Sequence, residues 1–81
     1  MRLFYPPKFK KELRNFPKEI RRKFYKQAGF LLQNLNHPSL RAKKYSKTSD
    51  IWQARVDKHI RFYFTTQKDT YILIHIKKHR D

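Results

Sequence analysis

Apolar residues in the N-terminal half follow a helical spacing. After a short apolar segment at residues 2–5, Pro6 and Pro7 interrupt the chain, and Pro7 suits the first turn of a helix. One apolar helical face follows, formed by Phe9, Leu13 and Phe16. Pro17 begins a longer helix, whose apolar positions are Ile20, Phe24, Ala28, Leu31 and Leu35. The pattern predicts a short strand at 2–5 and then a helical hairpin that ends before Asn36.

The second half of the chain alternates apolar and polar residues, which is typical of strands. Three such segments occur, with the apolar sets Trp52, Ala54 and Val56, then Ile60, Phe62 and Phe64, and then Ile72, Ile74 and Ile76. The intervening residues 57–59 and 67–69 suit three-residue hairpin loops. The sequence predicts an α/β (α+β) fold, in which an N-terminal helical hairpin packs on a small, mainly antiparallel twisted sheet.

The register of the predicted strands follows from placing the three apolar sets on one face. Val56 then pairs with Ile60, and Phe64 pairs with Ile72, because a shift by one residue would turn a whole set outward.

The same register predicts a row of basic residues on the other face of the sheet. Arg55 lies opposite Arg61, and Arg61 lies opposite His75, with Lys77 and His79 on the same face. Like charges directly opposite each other destabilise a sheet by up to ~1 kcal/mol. A bound anion would offset this repulsion.

The net charge of +15, from 21 Lys and Arg against 6 Asp and Glu, predicts an anionic partner. Nucleic acid, an acidic protein or an anionic membrane face would each serve, and a basic domain kept soluble by its charge is the alternative.

Aromatic residues make up 16% of the chain, which favours a folded core over a disordered tail. The 81 residues predict a single domain, 1–81, that is too small for an enzyme with a large cavity.

The sequence lacks the residues that several kinds of catalytic and metal site require. The absence of Cys excludes a disulfide scaffold, thiolate zinc sites and a cysteine nucleophile, and no carboxylate stands beside His75 and His79, so we expect no metal and no cofactor. Paired carboxylates, a glycine-rich phosphate loop and a serine nucleophile motif are also missing. The longest apolar run, 71–74, is far shorter than the ~18 residues of a membrane span, and we see no signal peptide. We expect a cytoplasmic protein without a membrane partner.

The predicted basic face combines groups that bind phosphate with aromatic rings. Arg55, Arg61 and His75 form its centre, and the flanking residues are Gln53, Tyr63, Tyr71, Lys77 and His79. Arg binds phosphate oxygens in a bidentate manner, His moves protons near neutral pH, and aromatic rings stack on bases. These groups suffice for metal-free RNA cleavage, in which a 2′-hydroxyl attacks the adjacent phosphate. A solvated sheet face without function is the alternative interpretation.

A second basic group lies between the helices and the predicted sheet, formed by Arg41, Lys43, Lys44 and Lys47. A polar connection at this place can reach a nucleic-acid backbone, and its contacts would add salt dependence more than sequence choice. An ordinary solvated loop explains the same residues equally well.

Four parts of the sequence together resemble the RelE/ParE superfamily of toxins from bacterial toxin–antitoxin systems. They are the helical hairpin that ends before residues 36–41, Trp52 with Arg55 and Val56, the segment 60–63, and the terminal segment 76–80. The resemblance covers nearly the whole chain, and the order and spacing of these parts carry it.

The resemblance implies a small toxin whose basic sheet face binds its target, and a cognate antitoxin whose acidic segment covers that face. RelE-like members cut mRNA in the ribosomal A site without a metal. By position, Arg61 matches the phosphate-binding arginine, Arg55 a basic residue that adds charge stabilisation, and His79 a residue that assists proton transfer. The expected RNA-binding residues are Lys43, Lys44, Gln53, Tyr63, His75, Lys77, Lys78 and Arg80.

Two departures from the family's pattern bear on catalysis. Gln53 stands where some cleaving members have Lys, and Arg80 stands near the place of the aromatic residue that often closes their active site. ParE-like members instead inhibit DNA gyrase without cutting RNA, and several end in a similar His-Arg-Asp string. The sequence thus predicts a ribosome-dependent mRNA endonuclease, with a gyrase inhibitor or a non-toxic module that binds RNA or protein as alternatives.

Overall fold

The computed structural model describes residues 1–79, in which two helices pack on one face of a five-stranded sheet. The strands are β1 (Arg2–Phe4), β2 (Lys43–Ser46), β3 (Ile51–Arg55), β4 (Ile60–Gln67) and β5 (Thr70–Lys78), and the helices are α1 (Pro7–Arg14) and α2 (Lys18–Gln33). A short 3₁₀ helix, Pro38–Leu40, follows α2. The strand order is β1-β5-β4-β3-β2, with β1 parallel to β5 and all other neighbours antiparallel. The predicted helical hairpin on a mainly antiparallel sheet is confirmed.

Prolines mark the starts of both helices, as the sequence predicts. Pro7 lies in the first turn of α1, where its missing N–H needs no partner, and Pro17 immediately precedes α2. The predicted apolar positions that become buried in the two helices are Phe9, Leu13, Phe24, Ala28 and Leu31. Phe24 contacts Phe62 on β4 edge-on, with ring centroids 5.3 Å apart. Within the described residues, neither helix has the length and apolar content needed to cross a membrane.

The hairpin between β3 and β4 has the predicted register. Arg55 lies directly opposite Arg61. The carboxylate of Asp57 closes the three-residue loop, because it accepts hydrogen bonds from the backbone N–H groups of His59 and Ile60, both at 2.9 Å. This local bonding keeps the two arginines side by side.

The register between β4 and β5 differs from the prediction. Gln67 pairs with Thr70, so this hairpin loop has two residues instead of three, and Ile74 then forms a bulge in β5. Phe64 therefore pairs with Leu73 and not with residue 72. The apolar residues that β5 contributes to the core are Tyr71, Leu73 and Ile76. All four residues 71–74 are apolar, so either the odd-numbered or the even-numbered residues could face the core. Hydrophobicity alone therefore does not select which of these two sets, or phases, faces inward.

This shift changes which basic residues are neighbours. Lys77, and not His75, lies opposite Arg61, while His75 lies opposite Tyr63. Tyr71 belongs to the hydrophobic core, where its ring packs edge-on against Phe64 at 5.4 Å, so it is not part of the polar face as the sequence predicted.

One strand was not predicted from the sequence. Residues 43–46, interpreted as a polar connection, form β2 and pair antiparallel with β3 at the edge of the sheet. The register shifts between Lys44 and Ser46, which places Tyr45 in a second bulge. Lysines and a bulge protect such an edge from pairing with other strands.

Candidate nucleic-acid interface

The sheet surface opposite the helices, here called the basic face, carries two rows of polar residues. The first row crosses β3, β4 and β5 through Arg55, Arg61 and Lys77. The second row begins on β2 and consists of Lys43, Gln53, Tyr63 and His75. Strand pairing thus brings together seven of the residues that the sequence predicts for the site.

Arg61 is a buried arginine, 7% exposed, that backbone oxygens hold in place. Its Nη1 donates to the carbonyl oxygens of Asp57 at 2.8 Å, Ile60 at 3.2 Å and Lys58 at 3.3 Å. Carbonyl groups fix the guanidinium without neutralising it, because they carry no net charge. Arg61 therefore keeps its positive charge, and Arg55 lies directly opposite it on the neighbouring strand.

A hollow of about 280 Å³ lies beside this arginine pair. The residues that line it are Arg41, Lys43, Gln53, Arg55, Arg61 and His79. Four of these residues are Arg or Lys, and none of the described lining residues is acidic. The hollow is therefore suited to an anion with several oxygen atoms, such as a phosphate group.

His79 reaches the hollow from the end of β5. Its backbone N–H donates to the carbonyl oxygen of His59 at 2.7 Å, which ties the end of β5 to the β3–β4 loop. His79 thus lines the hollow together with Arg61. Arg80, which the sequence also predicts as an RNA-binding residue, lies outside the described residues.

Tyr63 lies in the middle of the second row, beneath two flanking side chains. The Nζ atom of Lys77 is 5.2 Å from the centroid of its ring, and the ring of Tyr45 approaches at 5.1 Å. Burial and, to a lesser extent, Tyr45 raise the pKa of Tyr63, while Arg61 acts in the opposite direction. The phenol of Tyr63 therefore stays protonated at physiological pH.

Lys44, Lys78 and His75 are among the predicted RNA-binding residues that do not line the hollow. The Nζ atom of Lys44 forms a 2.9 Å ion pair with Asp50. Lys78 lines a separate cleft beside the α1–α2 connection. His75 is on the basic face, but its Nδ1 lies 3.4 Å from the carboxylate of Glu12 on α1. These residues therefore lie at the periphery of the predicted site.

Gln27 positions the end of β3 from the helix side of the sheet. Its Nε2 donates to the carbonyl oxygen of Arg55 at 2.9 Å and to that of Ser39 at 3.0 Å, and the Ser39 hydroxyl donates to its Oε1 at 3.0 Å. These bonds join α2, the 3₁₀ helix and β3. Sequence reasoning missed this role, although Gln27 lies three residues after Phe24 on the buried side of the helix.

Replacing Gln27 with Leu is expected to lower the free energy of unfolding by about 1–3 kcal/mol, because the partly buried Arg55 carbonyl and the Ser39 hydroxyl lose their partner. Urea denaturation followed by the fluorescence of Trp52 measures the change. Gln33→Leu, at an exposed position of the same helix, is the control and should change stability by less than about 0.5 kcal/mol. Equal stabilities for the two variants would contradict the assigned bonds.

The sequence matches a family model over residues 3–81, and the model describes the ParE toxin of the type II toxin-antitoxin system parDE. The chain belongs to this toxin family. The resemblance to the RelE/ParE superfamily is thereby confirmed. No curated protein sequence gives a significant match to the toxin.

Solved structures of related toxins share the fold. The toxin superposes on YoeB from a Staphylococcus aureus YoeB dimer with a TM-score of 0.81 and 14% identity, over 99% of this chain and 98% of that chain. The archaeal RelE-RelB complex from Pyrococcus horikoshii OT3 gives a TM-score of 0.78 and 18% identity, over 95% and 92% of the chains. The isolated E. coli RelE toxin gives 0.76 and 16%, over 99% and 85%. At these identities the similarity establishes the fold.

Proposed function

We propose that this toxin is a cytoplasmic enzyme that cleaves phosphodiester bonds of mRNA on the ribosome. The observation that carries the proposal is the hollow beside Arg55 and Arg61, where cations converge and the described lining residues include no carboxylate. A phosphate in the hollow would place its negative charge next to both arginines. The fold shared with RelE and YoeB toxins supports an RNA target, since RelE-like members of the superfamily cut mRNA.

The proposed reaction is a transesterification within the RNA strand. The 2′-hydroxyl oxygen attacks the adjacent phosphorus and gives its proton to a base, while the bond between phosphorus and the 5′-oxygen breaks and that oxygen takes up a proton. The products are a 2′,3′-cyclic phosphate and a 5′-hydroxyl. The protein has to hold the phosphate, stabilise the charge on its oxygens and move the protons.

The positions of the side chains suggest a role for each. Arg61 holds the scissile phosphate, since its guanidinium is already fixed before RNA binds. Arg55 adds charge stabilisation from the opposite strand, and His79 at the end of β5 acts as the acid or the base. Lys43 contacts the RNA backbone from β2. Further RNA contacts are proposed for Lys44, Gln53, Tyr63, His75, Lys77, Lys78 and Arg80.

A cognate antitoxin is the proposed protein partner. Structures with the same fold include complexes of YoeB with YefM and of RelE with RelB. We propose that an acidic segment of the antitoxin brings carboxylates to Arg55 and Arg61, because arginines that can bind a phosphate can also bind a carboxylate.

Expression of the chain in bacteria from a tightly controlled promoter tests the function. Mapping of RNA 5′ ends should show new ends within translated codons, and Arg55→Glu should abolish them because the reversed charge repels phosphate. Arg22→Glu, at an exposed position of α2, makes the same charge change away from the hollow and should leave the cleavage pattern intact. Growth arrest with intact mRNA would contradict the proposal.

Inhibition of DNA gyrase is the second candidate function. The family match favours it, because the matching model describes ParE toxins. This function requires no proton transfer, so His79→Ala would still arrest growth. A DNA-damage response with intact mRNA in the same expression experiment would identify it.

A further inference from the structure

Tyr45 lies at the border of the basic face and takes no part in the described hydrophobic core. It is 60% exposed, whereas the neighbouring Tyr63 is 5% exposed. Tyr45 is the extra residue of the bulge in β2, since the strand pairing with β3 continues on both sides of it. A bulge redirects the side chain that it carries, so the exposed position of this ring follows from the backbone.

The ring of Tyr45 reaches across β3 to Tyr63 on β4. The two ring centroids are 5.1 Å apart and the planes are inclined by 72°, which is a favourable edge-to-face geometry. Tyr63 is itself held by burial and by Lys77, whose Nζ lies 5.2 Å from its centroid. A fixed ring thus supports an exposed one.

The surroundings of Tyr45 distinguish it from other exposed apolar residues. Single exposed apolar side chains are common, so exposure alone does not indicate a site. Tyr25 is exposed to a similar extent, 55%, but it lies on α2 and contacts Tyr5 and Phe24. Tyr45 instead follows Lys43 by two residues, about 7 Å along an extended strand, and Lys43 lines the hollow.

We propose that Tyr45 binds a base of the mRNA by stacking, next to the phosphate in the hollow. Unstacked bases of single-stranded RNA bind to aromatic rings in this manner, with phosphates held by nearby cations. The inference rests on the proposed function, because it requires RNA phosphate at Arg55 and Arg61. The stacked base would hold its nucleotide in the orientation that the attack on phosphorus requires.

Single-turnover cleavage on ribosomes programmed with a short mRNA tests the role of Tyr45. Tyr45→Leu is expected to cleave about 5- to 100-fold more slowly, because the ring that stacks on the base is lost. Tyr45→Phe should retain the wild-type rate, since it keeps the ring. Tyr25→Leu removes a similarly exposed tyrosine from α2 and should also cleave at the wild-type rate.

Codons that contain one abasic nucleotide separate stacking from a structural effect. At one codon position, removal of the base should slow cleavage by the wild-type chain by the same factor by which Tyr45→Leu slows cleavage of the intact codon. Cleavage by Tyr45→Leu should not become slower when the base at that position is absent. The inference is overturned if the two losses multiply at every position, or if Tyr45→Leu cleaves the intact codon at the wild-type rate. A wild-type chain that cleaves no codon would overturn the proposed function as well.

Discussion

Replacement of Arg61 by Ala is expected to slow mRNA cleavage by about 10²- to 10³-fold, because the transition state loses a prepositioned positive charge at its phosphate oxygens. The structure supports an effect of this size, since three backbone carbonyls hold the guanidinium beside the hollow before any substrate binds. Little reorganisation is then needed when charge builds up during the reaction. Single-turnover cleavage on programmed ribosomes, at saturating toxin, measures the loss.

The control for this prediction has to separate chemistry from folding, because Arg61 also supports the β3–β4 loop. Arg61→Lys retains the charge but not the planar fork and should recover part of the rate. Arg22→Ala removes an exposed arginine from α2 and should cleave like the wild type. An Arg61→Ala protein with a normal unfolding transition and a wild-type rate would refute the proposed phosphate contact.

Replacement of His79 by Ala is expected to slow cleavage by about 10²- to 10⁴-fold, which is the usual contribution of a positioned acid or base. His79 is the one histidine in the described lining of the hollow, and histidine is the side chain that most often serves as a general acid or base. Mapping of RNA 5′ ends in cells and single-turnover rates on programmed ribosomes both measure the effect.

His59 offers a matched control for His79, because the two residues share a backbone hydrogen bond. The His59 side chain is exposed, and His59→Ala leaves the carbonyl oxygen that holds His79 in place. This variant should cleave at nearly the wild-type rate. His79→Gln keeps a polar side chain that cannot shuttle protons and should stay as slow as His79→Ala. Wild-type cleavage by His79→Gln would exclude proton transfer by this residue.

The arginine pair also links target binding to stability. Arg55 and Arg61 lie opposite each other on adjacent strands, and any anion that binds only the folded chain stabilises it by mass action. The toxin is therefore expected to gain stability from either of its proposed anionic partners, RNA or an acidic antitoxin segment. Both partners would use the same hollow, so they would compete.

Local rules made several features predictable from the sequence. Pro7 and Pro17 predict where the helices begin, because proline fits only the start of a helix. The opposition of Arg55 and Arg61 follows from a short loop and from the need to bury Ala54 and Phe62, which pair with each other in the structure.

The position of β5 was not predictable in the same way. Residues 71–74 are apolar in both phases, so the sequence is compatible with either face pointing inward. The structure resolves this with the bulge at Ile74 and with a contact from α1, in which the backbone N–H of Ile76 donates to the carboxylate of Glu12 at 3.3 Å. That contact joins residues far apart in the chain, and no local pattern predicts it.

The sequence by itself determined the charge, the two helices, the arginine pair and the resemblance to RelE/ParE toxins. Only the tertiary structure decided which cations meet at the hollow: Lys43 lines it, whereas its neighbour Lys44 pairs with Asp50. It also decided that Tyr45, in a segment interpreted as a connection, stands beside Tyr63. The physical reason is that adjacent strand residues point to opposite faces, and the bulges and distant contacts that set this phase have no local sequence signal.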